Sequence, residues 1–229
     1  MDRSAKFLML QDLDLFSSLS HDELNNLASV CSLCNVNKDE KIFSKGDSIE
    51  YVYVLIKGSV KIGANIDFQK SIIKQLIHNG EIFGENILTK NTVRNDFAQS
   101  LAPSQIFKIL KADFEKLITT NPVFCTKIVS HILQQLNNLE LRIADFVYKK
   151  AQNRIENFIK KLALKKGIKI GIEEILIKHN LSHSDIAHIT DTSRQTVSRV
   201  FGDLKKSQII HFSPRKPNRI LVRNLSMLG

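Results

Sequence analysis

Residues 181–211, LSHSDIAHITDTSRQTVSRVFGDLKKSQIIH, contain two short helical patterns separated by a polar break. Ser182 is a suitable N-cap for the first helix, and Ser193 or Thr192 is suitable for the second. The small side chain of Ala187 would allow the two helices to pack closely. Two short helices around such a break predict a helix-turn-helix.

The second of these helices has one apolar face and one polar face. Its apolar residues recur at helical spacing and are Val197, Val200, Phe201 and Leu204. Its opposite face presents Arg194, Gln195, Ser198 and Arg199. In the major groove arginine pairs with guanine, glutamine with adenine, and serine with either. We therefore predict that these four side chains read DNA bases; the alternative is a three-helix packing unit that binds no DNA.

The segment IIHFSPRKPNRILVR (209–223) is typical of two strands around a basic turn that contains proline. Together with the two helices, it predicts a winged helix-turn-helix. Contacts to phosphate position a protein on DNA without reading its sequence. The candidate phosphate ligands are Ser193, Thr196, Lys205, Lys206, Arg215, Lys216 and Arg219.

Positive charge is concentrated in the same part of the chain. The formal net charge is +10; residues 151–229 hold 15 Lys and Arg against 6 Asp and Glu, whereas residues 1–150 hold 18 against 17. A concentrated basic region is typical of a polyanion partner, because neutralised phosphates release condensed counterions. Charge alone also fits a solvated, lysine-rich surface, so the helix-turn-helix motif decides between the two interpretations.

Residues 35–107 consist of short β-type runs broken by Gly, Asn and Asp at near-regular intervals. This pattern predicts a compact antiparallel barrel or sandwich. Before it, Ser20 and Glu23 predict a capped helix within residues 17–30, and residues 111–119 predict a further short helix.

A longer helix after Pro122 carries a strict heptad pattern. Its apolar residues alternate at spacings of three and four and are Val129, Ile132, Leu136, Leu139, Ile143 and Phe146. Such a stripe is typical of a helix that pairs with another helix, and it predicts a homodimer. Leu133 and Leu141 widen the stripe, so the alternative is a helix that packs on its own domain.

These features resemble the cyclic-AMP-receptor/FNR (Crp/Fnr) family of bacterial homodimeric transcription regulators. The segment SRQTVSR (193–199) is similar to the family's S-R-E-T-V-x-R recognition helix, and residues 43–61 resemble the opening of its β-roll. The resemblance implies an α+β protein with an N-terminal cyclic-nucleotide-binding-type antiparallel β-roll (jelly-roll-like), a long dimerisation helix and a C-terminal winged helix-turn-helix. The expected segments are a sensor domain (1–121), a dimerisation helix with hinge (122–150) and a DNA-binding domain (151–229).

Residues 83–94, FGENILTKNTVR, resemble the phosphate-binding cassette of cyclic-nucleotide domains, in which F-G-E is followed nine residues after Glu by Arg. The resemblance implies that Gly84, Glu85 and Arg94 hold the phosphate and ribose of a ligand. Glycine lets backbone N–H groups approach a phosphate, glutamate accepts from a ribose hydroxyl, and arginine neutralises the phosphate with a fork of donors. The alternative is that Gly84 and Glu85 are turn residues and Arg94 forms a surface ion pair.

The chain departs from the family pattern at several of these positions. Asn95, which we include in the ligand site, stands where cyclic-AMP-binding members have Ser, Thr or Ala. Leu139 and Glu140 stand where the cyclic-AMP receptor has Thr-Ser against the purine, so both would lie near the ligand base. The expected effector is therefore cyclic AMP or another cyclic mononucleotide, bound modestly. Gln195 replaces the family's usual Glu, which predicts a different DNA half-site.

Other site classes receive little support from the sequence. Cys31 and Cys34 form a C-x2-C half-site, but an iron–sulfur cluster normally needs four thiolates and Cys125 is the only further cysteine. Buried, reduced cysteines are the better interpretation, and no metal site is predicted. No motif resembles a catalytic triad, a Walker loop or a Rossmann fingerprint, so no enzymatic activity is expected.

The start of the chain, MDRSAKFLMLQDLD, carries acids where a signal peptide needs its apolar stretch, and no run of about 18 apolar residues follows. A cytoplasmic protein without membrane contact is expected. The sequence thus predicts a ligand-gated DNA-binding transcription regulator that acts as a homodimer on a palindromic operator and contacts RNA polymerase. Two alternatives stay open: a cyclic-nucleotide-binding protein that regulates a protein partner, and a DNA-binding regulator that needs no effector.

Overall fold

A computed structural model of the chain describes residues 2–67, 70–213 and 216–228. Contacts divide the chain into two compact units, with the boundary between Asn137 and Asn138. This boundary falls inside the longest of the described helices, and each unit is considered by itself below. The expected division into residues 1–121, 122–150 and 151–229 stays a prediction.

The described residues contain α-helices and antiparallel strands. The helices are α1 (Arg3–Gln11), α2 (His21–Val30), α3 (Lys111–Thr120), α4 (Pro122–Tyr148), α5 (Ala151–Lys166), α6 (His183–Ile189) and α7 (Arg194–Lys206). The strands are β1 (Ser32–Val36), β2 (Lys41–Phe43), β3 (Tyr51–Lys57), β4 (Val60–Asp67), β5 (Lys70–Ile77), β6 (Ile82–Phe83), β7 (Phe97–Ser100), β8 (Ser104–Leu110), β9 (Ile168–Lys169), β10 (Ile175–Lys178), β11 (Ile210–Ser213) and β12 (Lys216–Val222).

The first unit is built on a β-roll of two four-stranded sheets, ordered β1-β8-β3-β6 and β2-β7-β4-β5. One buried apolar cluster draws side chains from all eight strands, so it forms the core between the sheets; its members are Val36, Phe43, Tyr53, Leu55, Val60, Ile62, Ile77, Phe83, Ala98 and Ile106. A second cluster joins β3 and β8 to α1, α2, α3 and the start of α4. Strand β3 is therefore buried on both faces, which explains why its sequence YVYVLIK shows no polar alternation.

The helices of this unit are fixed by capping and by aromatic packing. Ser20 Oγ accepts from the backbone N–H of Glu23 at 3.2 Å, and the Glu23 carboxylate accepts from the N–H of Ser20 at 2.7 Å, which confirms the expected capping box. Phe124 at the start of α4 stacks on Phe16 and meets Phe114 edge-on, each with ring centroids 5.9 Å apart. The first turns of α4 thus belong to the core of the β-roll.

The second unit combines α5, α6 and α7 with a four-stranded sheet ordered β11-β12-β10-β9. Its buried apolar residues include Ile155, Ile159, Ile177, Ile186, Val197, Val200, Phe201, Ile210, Ile220 and Val222. Strands β11 and β12 form the wing, and the α6–α7 pair forms the helix-turn-helix. The predicted α+β class, with a β-roll, a long helix and a winged helix-turn-helix, is confirmed.

Local details differ from the sequence-based expectation. In place of a longer hinge at the end of residues 122–150, only Lys149 and Lys150 separate α4 from α5, and most of the polar stretch KKAQNRIEN (149–157) is helical. Most residues of this stretch are good helix formers, and Ile155 and Ile159 lie on the buried face of α5. Helix α1 and strands β9 and β10 were not predicted, because these segments are short and lack strong turn signals.

Candidate DNA-binding face and effector site

A serine is the N-cap of each of the helices α6 and α7. Ser182 Oγ accepts from the N–H of Asp185 at 3.1 Å, and the Asp185 carboxylate accepts from the N–H of Ser182 at 2.9 Å. Ser193 Oγ accepts from the N–H of Thr196 at 3.0 Å, so Ser193 is the cap of α7 and Thr192 is not. These caps fix the first turn of α7, where the expected base-reading residues begin.

The faces of α7 are divided as the spacing indicates. The inward face buries Val197, Val200, Phe201 and Leu204. The outward face exposes Arg194, Gln195, Ser198 and Arg199. Long polar side chains on an exposed helix with a buried opposite face can enter a groove without disturbing the core.

The structure describes five of the seven predicted phosphate ligands in full. Lys205 and Lys206 are exposed in the last turn of α7, and Arg219 is half-buried on β12. The hydroxyls of Ser193 and Thr196 lie 2.8 Å apart and bond to each other. Arg215 falls outside the described residues, and of Lys216 only the backbone at the start of β12 is described.

The turn between α6 and α7 is held by two arginines that the sequence did not single out. Asp191 has a positive φ of 51°, which is unfavourable for a residue other than glycine. Arg142 of α4 bonds both Asp191 carboxylate oxygens, at 2.7 and 2.9 Å, and also donates to the carbonyl of His188 at 2.9 Å. Arg154 of α5 donates to the carbonyls of Thr190 and Asp191 at 2.9 and 2.8 Å. The helix-turn-helix is thereby tied to both preceding helices of its unit.

The predicted heptad residues of α4 are exposed in the single chain. Val129, Ile132 and Leu136 are 48, 39 and 50% exposed in the first unit. In the second unit Leu139, Ile143 and Phe146 are 49, 57 and 55% exposed. Phe124 and Ile128 earlier in the helix are buried, so the apolar stripe changes from core packing to exposure along α4.

The cassette arginine is enclosed by the β-roll. Arg94 is 1% exposed, its Nη1 donates to the carbonyl of Gly84 at 3.1 Å, and its Nη2 donates to that of Tyr51 at 2.5 Å. Its guanidinium lies 4.2 Å from the ring centroid of Phe43. Gly84 has a φ of +83°, and a Cβ there would come within 3.0 Å of Arg94 Nη1. The alternative of a surface ion pair for Arg94 is therefore wrong.

Glu85 is engaged by the long helix of its own unit. Gln135 Nε2 donates to Glu85 Oε1 at 2.5 Å, and His131 Nε2 lies 3.6 Å from the same oxygen. Burial opposes ionisation of this carboxyl, but bonds from His131, the Glu85 backbone and Gln135 outweigh it and lower the Glu85 pKa. The sequence pattern did not indicate either α4 partner, since both lie about fifty residues away.

The next residues of the cassette differ sharply in burial. Asn95 is exposed, whereas Asp96 is 7% exposed. Asp96 Oδ2 lies 3.6 Å from Lys74 Nζ and 3.5 Å from Asn86 Nδ2. The sequence analysis did not include Asp96 among the site residues, although Asp96 lies only two residues after Arg94. Leu139 and Glu140 are both exposed on α4, and their role near a ligand base stays a prediction.

The cysteines carry no sign of a cluster. Cys31 is buried, and burial raises the pKa of its thiol to about 11; Cys34 and Cys125 are half-buried, and all three are free. In the part of the chain that the structure describes, no group of three His, Cys, Asp or Glu residues is placed to hold a metal. Within the same residues, no helix combines the length and apolarity needed to cross a membrane.

Comparison with known families matches both units. Residues 33–121 match the cyclic nucleotide-binding domain, and residues 153–229 match the Crp-like helix-turn-helix domain. The chain belongs to the Crp/Fnr family. It is a DNA-binding transcription regulator with a cyclic nucleotide-binding domain, as the recognition-helix motif indicated.

Relatives of this Crp/Fnr regulator are themselves transcription regulators. The "Global nitrogen regulator" of Synechococcus elongatus is 27% identical over 175 residues, covering 76% of this chain and 78% of the relative. The "cAMP-activated global transcriptional regulator CRP" of Pasteurella multocida is 24% identical over 183 residues, covering 78 and 87%. The structure of FixK2 from Bradyrhizobium japonicum shares the fold, with a TM-score of 0.76, 21% identity and coverage of 87 and 96%.

Proposed function

We propose that this Crp/Fnr regulator acts in the cytoplasm as a homodimer on a palindromic operator, without catalysing a reaction, and contacts RNA polymerase there. The observation that carries the proposal is the face of α7, where Arg194, Gln195, Ser198 and Arg199 are exposed opposite a buried apolar face. The exposed stripe of α4 provides the dimer contact. Two-fold symmetry would then place two α7 helices in successive major grooves, about 34 Å apart.

The salt dependence of binding tests this proposal against regulation of a protein partner. Each lysine or arginine that neutralises a phosphate releases counterions, so DNA affinity should fall steeply with salt on a log–log plot. Lys205→Ala should reduce that slope by about one unit. Lys38→Ala, in the exposed turn before β2, is the matched control and should leave the slope unchanged. A flat salt dependence for duplex DNA would favour the protein-partner alternative.

The β-roll is the proposed effector site, with Gly84, Glu85, Arg94 and Asn95 as its ligand-holding residues. Glu85 accepts a hydrogen bond from Gln135 of α4 and lies 3.6 Å from His131 of the same helix. A ligand hydroxyl that donated to the Glu85 carboxylate would compete with Gln135 and His131 for this acceptor, so its binding would alter the contacts between the β-roll and α4. Coupling of this kind needs different ligand affinities for the two arrangements of the helix.

Calorimetry with cyclic AMP and cyclic GMP tests the effector role. Wild type should bind one of them modestly, Arg94→Ala should not, and bound nucleotide should raise operator affinity. If wild type binds neither at millimolar concentration but holds its operator tightly, the β-roll takes another effector or none. Leu139 and Glu140, if they lie near the base, would set the preference between the two nucleotides.

A further inference from the structure

A buried acid, Asp96, lies two residues after the phosphate-binding cassette (83–94), and the resemblance of the cassette to cyclic-nucleotide domains does not explain it. Asp96 is more than nine-tenths buried, and its Oδ1 atom has no hydrogen-bond partner among the residues that the structure describes. The other oxygen has only a 3.5 Å contact with Asn86 and a 3.6 Å contact with Lys74. A buried acceptor without a donor is costly, so the position of Asp96 requires a reason.

Asp96 shares its surroundings with the arginine expected to hold a phosphate. Arg94 is also buried, and within the described part of the chain its Nε has no hydrogen-bond partner. Burial lowers the pKa of the Arg94 guanidinium, whereas nearby Tyr53 and Asp96 act in the opposite direction. Asn86 links Asp96 to the same short turn that contains Glu85. Because Arg94 donates to the carbonyl of Gly84, and Asn86 two residues later contacts Asp96, a group bound at Arg94 would lie at the same turn as the Asp96 carboxylate.

The charges at this site do not suit a cyclic phosphodiester. The exocyclic oxygens of such a group carry a full negative charge and have no hydrogen to donate. Placed at Arg94, they would add acceptors beside an acid whose Oδ1 atom already lacks a donor among the described residues, and like charges repel strongly where water is excluded. Lys74 offsets Asp96 only in part, because its side chain is 43% exposed and the contact is long.

We propose that Asp96 is a specificity-determining residue of the β-roll. It disfavours a cyclic phosphodiester at Arg94 and favours a ligand whose anionic or polar group also brings an N–H or O–H donor to Asp96. This inference rests on the proposed role of the β-roll as the effector site, and it explains why binding of cyclic AMP should be only modest.

The test combines one change in the protein with one change in the ligand. Calorimetry of the full chain would compare cyclic AMP with its cyclic phosphoramidate, in which an NH2 group replaces one exocyclic oxygen. Asp96→Asn keeps the shape of the side chain and removes its charge, and Asp96→Ala removes both acceptors. Glu50→Gln is the control, because it removes an equally negative charge from an exposed position of the same unit.

The expected result is a shift in preference. Both Asp96 variants should bind cyclic AMP at least about tenfold more tightly than wild type does. The ratio of the affinity for cyclic AMP to the affinity for the phosphoramidate should rise by a similar factor. Glu50→Gln should behave as wild type. The proposal is overturned if Asp96→Asn, shown by circular dichroism to be folded, binds cyclic AMP no tighter than wild type and keeps the same ratio.

Failure of the proposed function has a different signature. If wild type shows no salt-dependent binding to duplex DNA, the proposed action on an operator fails. The ratio of the affinities for cyclic AMP and the phosphoramidate can still change in the Asp96 variants. If DNA binding is tight and the ratio stays fixed, the DNA-binding function holds and the role of Asp96 is refuted.

Discussion

The contact between Arg142 and Asp191 predicts that Asp191→Asn loosens the turn of the helix-turn-helix. Asparagine adopts positive φ more readily than most residues, so the backbone at 51° is preserved, while the charge and one of the two acceptor oxygens are lost. Two bonds from Arg142 reach the carboxylate. One of the two bonds loses its acceptor, and a bond to a charged group contributes about 1.5–3 kcal/mol, so the substitution would cost about 2 kcal/mol. Since the side chains of Arg142 and Asp191 are 23 and 26% exposed, solvent screening reduces the expected loss to about 1–2 kcal/mol.

Native-state hydrogen exchange measures this loss where it occurs. The N–H of Thr192 bonds to the carbonyl of Ala187 at 2.9 Å across the turn. Its exchange should accelerate about 5- to 30-fold in Asp191→Asn, which corresponds to the loss of 1–2 kcal/mol. Asp203→Asn, on the exposed side of α7, removes the same charge from the same unit and serves as the control. Equal protection of Thr192 in the two variants would refute the role given to the Arg142 contact.

Three further outcomes are expected. Arg199→Ala should cost about 1–3 kcal/mol at one base position, whereas Lys205→Ala should weaken all duplexes alike; binding to operators with single base changes separates the two effects. Leu136→Asp should shift the protein from dimer to monomer in sedimentation equilibrium, because it places a charge in the exposed α4 stripe; an unchanged dimer would contradict this. Since bonds from α4 lower the Glu85 pKa in the folded chain, the stabilisation from this ionised carboxylate is present above pH 4.5 and is lost as the pH falls below it. Urea unfolding from pH 6 to 3.5 should therefore show a wild-type advantage over Glu85→Gln that shrinks with acid, and a constant difference would contradict this.

Local signals predicted much of the second unit. Ser182 and Ser193 are caps whose partners lie three residues away, and the apolar spacing of α7 correctly separated its buried face from its exposed face. Short-range chemistry of this kind can be read directly from the sequence. The wing was predicted in the same way, from two β-type runs around a basic turn.

The contacts that sequence reasoning missed connect distant parts of the chain. Arg142 and Asp191 are 49 residues apart, and Gln135 and Glu85 are 50 apart. No periodic pattern reports such a pair, because it depends on how whole elements pack. The burial of Asp96 could not be predicted from its neighbours in the sequence either, because they are polar and aromatic. The cassette motif drew attention to Arg94, but only the structure showed that its Nη1 and Nη2 atoms donate to backbone carbonyls.

Selection of bound sites from random duplex DNA tests the central claim most directly. The account predicts an inverted repeat whose half-sites are centred about one helical turn, or 34 Å, apart, since two α7 helices related by two-fold symmetry would read successive major grooves. The same selection with Arg199→Ala should relax one position in each half-site and leave the spacing unchanged. Recovery of no inverted repeat with wild type, or of an identical repeat with Arg199→Ala, would contradict the account.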